Sequence, residues 1–108
     1  MDIAYRFKDS NFIIIVADTL KENRKYKYAI EMYNKVLENN FKSKEYIYFR
    51  IGYCYYKIFM YNDAIVNFNE ALEYGYKGAN IKCMLNWIES ISQKSKVMKR
   101  KFVDKPLN

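Results

Sequence analysis

The pattern that decides the fold occupies residues 29–37, Ala-Ile-Glu-Met-Tyr-Asn-Lys-Val-Leu, and returns in residues 64–72, Ala-Ile-Val-Asn-Phe-Asn-Glu-Ala-Leu. The two copies stand 35 positions apart, and in each copy a small residue is followed at helical spacing by an aromatic ring. A second apolar stretch with helical spacing precedes each copy at the same offset. Its members are Ile13, Val16, Ala17 and Leu20 in the first copy, and Tyr48, Ile51, Gly52 and Tyr55 in the second. The sequence therefore predicts two consecutive pairs of helices.

This doubled pattern resembles the tetratricopeptide repeat, in which each repeat is a pair of antiparallel helices. Small residues let two helix backbones approach, and they recur here at Ala17, Gly52, Ala29 and Ala64. The resemblance implies an all-α fold of about five helices, in which helical hairpins stack as a short right-handed solenoid. It also implies that the chain binds other proteins and is not an enzyme.

The same pattern divides the chain into three parts. The central part is the tetratricopeptide-like domain, residues 10–93, with a short extension before it and a basic tail after it. The predicted ranges are 1–9 for the extension, 10–44 and 45–78 for the two repeats, 79–93 for a capping helix and 94–108 for the tail. Because stable arrays of this kind are expected to need at least three repeats, two repeats and a cap form a minimal array.

Polar residues at the expected helix boundaries predict where the helices begin and end. Predicted N-terminal caps are Asp9 or Ser10 for the first helix, Ser43 for the third and Asn62 for the fourth. The first helix is expected to end near Glu22, the second at Asn39 and Asn40, the third at Met60 and the fourth at Gly75. Both closing turns depart from the family, which commonly has proline where this chain has Phe41 and Tyr76.

If the family geometry applies, the first helix of each repeat lines a concave groove. The matching positions are Asn11, Ile14, Asp18 and Lys21 in the first repeat, and Tyr46, Phe49, Tyr53, Tyr56 and Lys57 in the second. Tyrosine combines a large apolar ring with a polar hydroxyl and suits the recognition of a peptide or helix. We therefore expect a partner to bind Tyr46, Phe49, Tyr53 and Tyr56, with Arg50 and Lys57 selecting polar or acidic groups. The alternatives are that this aromatic row is core, or the interface of a homo-oligomer.

One subgroup of the family binds the acidic carboxyl ends of chaperones, and this sequence disfavours that kind of ligand. The clamp that holds the carboxyl ends of chaperones needs Lys and Asn where this chain has Ile14 and Asp18. A carboxylate at position 18 repels the negative charge of such a ligand. The capping helix places Ala79 and Cys83 where the clamp needs Lys and Arg.

The net charge of +7 is concentrated at one end of the chain. The tail carries Lys94, Lys96, Lys99, Arg100, Lys101 and Lys105 against the single acid Asp104. A nearly neutral body with a basic tail differs from a domain with a basic face, which disfavours nucleic acid as the main partner. The alternative function is binding of RNA or an anionic surface through this tail, and its apolar residues at helical spacing allow the fifth helix to continue into it.

Trp87 is the only tryptophan, and it is the last candidate site residue. It lies beside the apolar row of the capping helix, where it could anchor a partner or pack on the fourth helix. Cys54 and Cys83 are 29 positions apart with no histidine in the chain, so no metal site is expected. Both are expected to be reduced thiols that fill gaps in the core, and a disulfide between them is the alternative.

No cofactor-binding or catalytic motif is recognised in the sequence. We expect neither a cofactor nor an enzyme activity, because there is no glycine-rich phosphate loop or nucleophile elbow and the acids lie on outward helical positions. The longest apolar stretch, from Tyr46 to Tyr61, is interrupted by Arg50 and Lys57 and is too short for a membrane span. The N-terminal residues show no signal-peptide pattern, so a cytoplasmic location is expected.

Overall fold

The computed structural model describes the backbone of residues 9–104 and the side chains of residues 9–94. Over this range the chain forms five helices and no strand, as the sequence predicts. The helices are α1 (Ser10–Glu22), α2 (Tyr26–Glu38), α3 (Lys44–Lys57), α4 (Tyr61–Glu73) and α5 (Asn80–Asp104). The predicted extension, apart from Asp9, lies outside the described residues.

The described chain divides into two compact units, with the boundary between Lys77 and Gly78. In the first unit α1 packs against α2, α2 against α3, and α3 against α4. Its main apolar core is contributed by α1, α2 and α3. The buried residues of this core are Ile13, Ala17, Ala29, Ile30, Tyr33, Val36, Ile47, Ile51 and Cys54. On α4 the buried residues are Ala64, Phe68 and Ala71, which match the small and aromatic positions of the repeated sequence pattern.

The 35-residue period of the sequence is present in the backbone of the turns. In the first hairpin the Lys25 amide donates to the Leu20 carbonyl at 2.8 Å, and 35 residues later the Met60 amide donates to the Tyr55 carbonyl at 2.9 Å. The helix ends follow the same period, since α1 and α3 end 35 residues apart and so do α2 and α4. The two hairpins are therefore closed by the same backbone turn.

Residues in the left-handed conformation also recur with this period. Arg24 has φ of 63° and Phe59 has 66°, and they occupy the same position in the two hairpin turns. Asn40 has 63° and Gly75 has 97°, and they follow α2 and α4 in the same way. Asn and Gly favour this conformation, whereas a bulky side chain such as Phe59 adopts it at a cost in strain. The predicted helix stops at Asn40 and Gly75 are confirmed.

Helix starts agree less well with the sequence predictions. The Asp9 side chain caps α1 by accepting a hydrogen bond from the Asn11 amide at 3.0 Å, as predicted. Ser43 stands at the cap position of α3 but makes no side-chain capping hydrogen bond. Asn62 does not cap α4, because that helix begins at Tyr61 and Met60 takes the cap position. Local sequence was misleading here because the shared turn geometry places the helix start two residues earlier than a cap at Asn62 would place it.

Two helix lengths differ from the predictions. The third helix ends at Lys57, before the expected Met60, because the left-handed Phe59 interrupts the helical backbone. The fifth helix continues past residue 93 to Asp104, so the backbone of the predicted tail is helical over most of its length. Along α5, Ile81 and Ile88 are buried and Met84, Leu85 and Ile91 are partly buried, on the predicted apolar row.

Candidate interaction surface

Four predicted site residues form a single row along α3. Tyr46, Arg50, Tyr53 and Lys57 are separated by four, three and four positions, which places them on one side of a helix. Tyr46 is 52% exposed, Lys57 is exposed, and Arg50 and Tyr53 are partly exposed. The row of Ile47, Ile51 and Cys54 is buried instead. We call the exposed row the α3 row.

The N-terminal half of the α3 row adjoins an aromatic cluster. The Phe49 ring stacks on the Tyr76 ring with centroids 4.7 Å apart, and the Tyr46 ring meets Tyr76 edge-on at 6.0 Å. Phe49 also lies 6.1 Å from the buried ring of Phe68. Phe49 is therefore partly a packing residue that links α3 to α4 and the segment after it. Tyr46 remains the accessible ring of this group.

Tyr76 is a member of this cluster that the sequence did not single out as a site residue. In the sequence, position 76 was noted only because it carries tyrosine where the family commonly has proline. An aromatic residue there has a physical reason, since its ring covers one face of Phe49 and one edge of Tyr46. A tyrosine in a loop after a helix carries no periodic signal, so spacing alone could not have indicated this role.

In the middle of the α3 row, Arg50 pairs with a carboxylate that also accepts a hydrogen bond from a buried hydroxyl group. The fully buried Tyr33 of α2 donates a hydrogen bond from its hydroxyl to Asp18 Oδ1 on α1. The same carboxylate oxygen lies 3.6 Å from Arg50 Nε on α3. Burial raises the pKa of Tyr33 well above its usual value, and the hydrogen bond and charge of Asp18 add to this effect. Asp18 thus connects three helices and holds Arg50 in place.

The C-terminal half of the α3 row is cationic. The Lys21 ammonium lies 5.7 Å from the centroid of the Tyr53 ring, and the Lys57 ammonium lies 5.9 Å from it. Ammonium groups are attracted to aromatic faces within about 6 Å. Two lysines from different helices therefore flank one tyrosine on the accessible side of α3. Three cationic side chains, Lys21, Arg50 and Lys57, therefore lie near Asp18 or Tyr53.

Two side-chain contacts connect α1 to α3. Asp18 contacts Arg50 and Lys21 contacts Tyr53, and in each pair the residues are 32 positions apart. Moving from the first contact to the second advances three positions along α1 and three positions along α3. The predicted groove positions Asp18 and Lys21 of the first repeat are therefore brought next to the α3 row.

The other predicted site residues lie elsewhere. Tyr56 is partly buried, and its ring meets the Tyr61 ring of α4 edge-on with centroids 6.1 Å apart. Trp87 is 47% exposed on α5, in the second compact unit. Lys94 is exposed at the last position whose side chain is described. Lys96, Lys99, Arg100 and Lys101 belong to the helical backbone of α5, and their side chains lie outside the described residues.

The two cysteines have different surroundings. Cys54 is buried and free, and burial raises the pKa of its thiol to about 12, against a smaller lowering by Lys21. Cys83 is also free but exposed, so the prediction that both thiols fill core gaps was wrong for this residue. Position 83 lies on a different side of α5 from the buried Ile81 and Ile88. A cysteine within a helical pattern was expected to be buried, but its position relative to these two residues exposes it. Among the described residues no group of three or more His, Cys, Asp or Glu is arranged to hold a metal ion.

None of the described helices is both long enough and apolar enough to cross a membrane. Comparisons with protein-family models, curated proteins and solved structures gave no match to this chain.

Proposed function

We propose that the chain is a protein-interaction module that binds a peptide or a partner helix along the α3 row. In this proposal α1 to α4 are two tetratricopeptide-like repeats stacked as a short solenoid, and α1 and α3 line its concave side. The 35-residue period of the turns and the two side-chain contacts between α1 and α3 support this arrangement. The cytoplasm is the proposed location, and the proposed role is binding and not catalysis.

The observation that carries the proposal is the composition of the exposed α3 row. Tyrosine and arginine are residue types enriched at the centres of protein interfaces, and the row presents Tyr46, Arg50 and Tyr53. Tyr46 supplies apolar area, while Lys21 and Lys57 flank Tyr53 with positive charge. Arg50 is held by Asp18, which reduces the side-chain entropy that it loses when a ligand binds.

Selection of peptides on the purified chain tests this proposal. Peptides recovered from a random display library are synthesised, and their affinities are measured by titration calorimetry against Tyr46→Ala and Tyr53→Ala variants. The matched control is Tyr28→Ala, because Tyr28 is a 60% exposed tyrosine on α2, outside the α3 row. We expect about tenfold or greater losses for each α3-row variant, as is typical of central interface tyrosines, and no change for Tyr28→Ala.

The variants must retain helical circular dichroism for the comparison to count. Unchanged affinity in both α3-row variants contradicts the proposal, as does a loss confined to Tyr28→Ala. Self-association that depends on concentration in the unmodified chain and disappears in Tyr46→Ala would assign the row to a homo-oligomer interface instead.

A further inference from the structure

The ends of the two hairpins present an apolar tip with basic surroundings. Phe59 is 75% exposed and Met60 is 43% exposed, and both lie in the turn between α3 and α4. Phe59 has the largest exposed fraction among the exposed large hydrophobic residues of the described chain. We call Phe59 and Met60 the hairpin tip.

Phe59 is unusual in its backbone as well as in its exposure. Its φ of 66° lies in the left-handed region, which a bulky side chain adopts only at a cost in strain. The equivalent position of the first hairpin is Arg24, whose φ is 63°. The centroids of the Phe59 and Tyr61 rings are 6.3 Å apart in an edge-on arrangement, and the Phe59 side chain is largely exposed to solvent. Neither folding nor core packing explains an aromatic residue here.

Cations from both hairpin turns lie at this same end. The Lys21 and Lys57 ammonium groups lie 5.7 and 5.9 Å from the centroid of the same Tyr53 ring, so the C-terminal ends of α1 and α3 and the turns that follow them lie on the same side of the first unit. Exposed cationic residues in and beside these two turns are Arg24, Lys25, Lys27 and Lys57, and the exposed acids nearby are Glu22 and Asp63. The tip is therefore apolar at its centre and predominantly basic around it.

We infer that the hairpin tip inserts into the surface of an anionic lipid bilayer. An exposed aromatic residue and a methionine enter the boundary between headgroups and acyl chains, while lysine and arginine contact anionic headgroups. This surface is separate from the α3 row and from the basic tail, and its use does not depend on the proposed protein-binding function. A bilayer fits better than a protein pocket because the apolar residues protrude at the end of the hairpins and charge complementarity favours an anionic surface.

Vesicle co-sedimentation with the full chain tests this inference. Vesicles of phosphatidylcholine are compared with vesicles that also contain phosphatidylserine. We expect the chain to bind the anionic vesicles at least about tenfold more tightly, and this difference to shrink as salt is raised. Equal binding to both kinds of vesicle, or no binding to either, overturns the inference.

Phe59→Asn is the decisive variant, because asparagine tolerates the left-handed conformation and the fold is retained. We expect it to weaken binding to anionic vesicles about tenfold, since most of the inserted apolar surface is removed. The matched control is Val66→Asn, which alters a 60% exposed apolar residue on α4, and it should bind as the unmodified chain does. Unchanged binding by Phe59→Asn overturns the inference.

Two further measurements exclude the other surfaces that could act in this assay. A chain with Lys96, Lys99, Arg100 and Lys101 changed to Gln should keep a Phe59-dependent part of its vesicle binding. Complete loss in that chain assigns the binding to the tail and overturns the inference. Sedimentation equilibrium without lipid should give the same mass for the unmodified chain and Phe59→Asn, and a lower mass for the variant would make the tip a contact between copies.

Discussion

Gly52 of α3 lies directly against the ring of Phe68 of α4. A Cβ atom at position 52 would stand 2.6 Å from Phe68 Cδ1 and 2.7 Å from Cε1, which is closer than such atoms approach in proteins. Phe68 is fully buried, so its ring has little room to move away. Glycine at this position thus permits the close packing of α3 on α4, which places Phe49 beside Phe68.

Gly52→Ala is expected to lower the free energy of unfolding by about 1–3 kcal/mol, because overpacking against Phe68 exceeds the gain in helix propensity. Urea unfolding followed by circular dichroism measures this change. In a Phe68→Leu background the penalty of Gly52→Ala should shrink, since leucine removes the crowded ring atoms. A stabilised Gly52→Ala chain would show that the two helices do not pack this closely.

Tyr33 and Asp18 are expected to be coupled in a double-mutant cycle. Tyr33→Phe removes the buried donor and should cost about 1–2 kcal/mol, and Asp18→Ala leaves the buried hydroxyl without its acceptor and should cost at least as much. The double variant should be more stable than the sum of the single losses predicts, by about 1 kcal/mol. Strict additivity would contradict a direct hydrogen bond between these side chains.

Stability is expected to decline in alkaline solution because of Cys54. The folded chain holds the thiol proton up to a pKa of about 12, whereas the ordinary pKa is 9.0. Above that ordinary value the unfolded chain binds fewer protons than the folded chain, so the free energy of unfolding falls as pH rises toward about 12. The slope for one such group reaches about 1.4 kcal/mol per pH unit. Below the ordinary pKa the free energy of unfolding does not change through this thiol, because both states hold the proton.

Urea unfolding at about pH 8, 9 and 10 gives this slope, and Cys54→Ala provides the comparison. The variant loses a constant amount of stability through its smaller side chain, but it should lack most of the decline between about pH 9 and 10. Tyr33, whose pKa is also raised by burial, contributes above its ordinary value of 10.0 and remains in both chains. The same decline in Cys54→Ala would assign the effect to other groups.

Phe59→Asn is expected to stabilise the isolated chain slightly, by about 0.5–1 kcal/mol, because asparagine adopts the left-handed conformation with less strain. Thermal unfolding compares this variant with Gly75→Ala, which places a Cβ at φ of 97° and should destabilise by about 1 kcal/mol or more. A clear loss of stability in Phe59→Asn would mean that the contact of Phe59 with Tyr61 outweighs the strain.

Much of the fold could be predicted because apolar spacing alone identifies helices and their buried faces. Ala29, Tyr33, Ala64 and Phe68 are the small and aromatic positions of the repeated pattern, and all four are buried. Helix starts were harder to predict, because a capping residue such as Asn62 is recognised by its type while the start is set by turn geometry shared between hairpins.

The interaction surface could be predicted only as a set of residues. The resemblance assigned Tyr46, Tyr53 and Lys57 to an expected groove, but it could not show that Asp18 joins Tyr33 to Arg50. That arrangement depends on how three helices are positioned together, and no local pattern in the sequence encodes it. Tyr56 was predicted with these residues because the resemblance also assigns its position to the groove, and its ring meets the Tyr61 ring edge-on.

Site-specific photocrosslinking tests most directly whether the α3 row is a binding surface. A photoreactive phenylalanine analogue is placed at Tyr46 or at Tyr53 in the chain expressed in its native cells, and at Tyr28 as the control. We predict that the analogue at both α3-row positions captures the same discrete protein partner, and that the analogue at position 28 does not. Equal capture at all three positions, or capture at position 28 alone, would contradict a binding role for the α3 row.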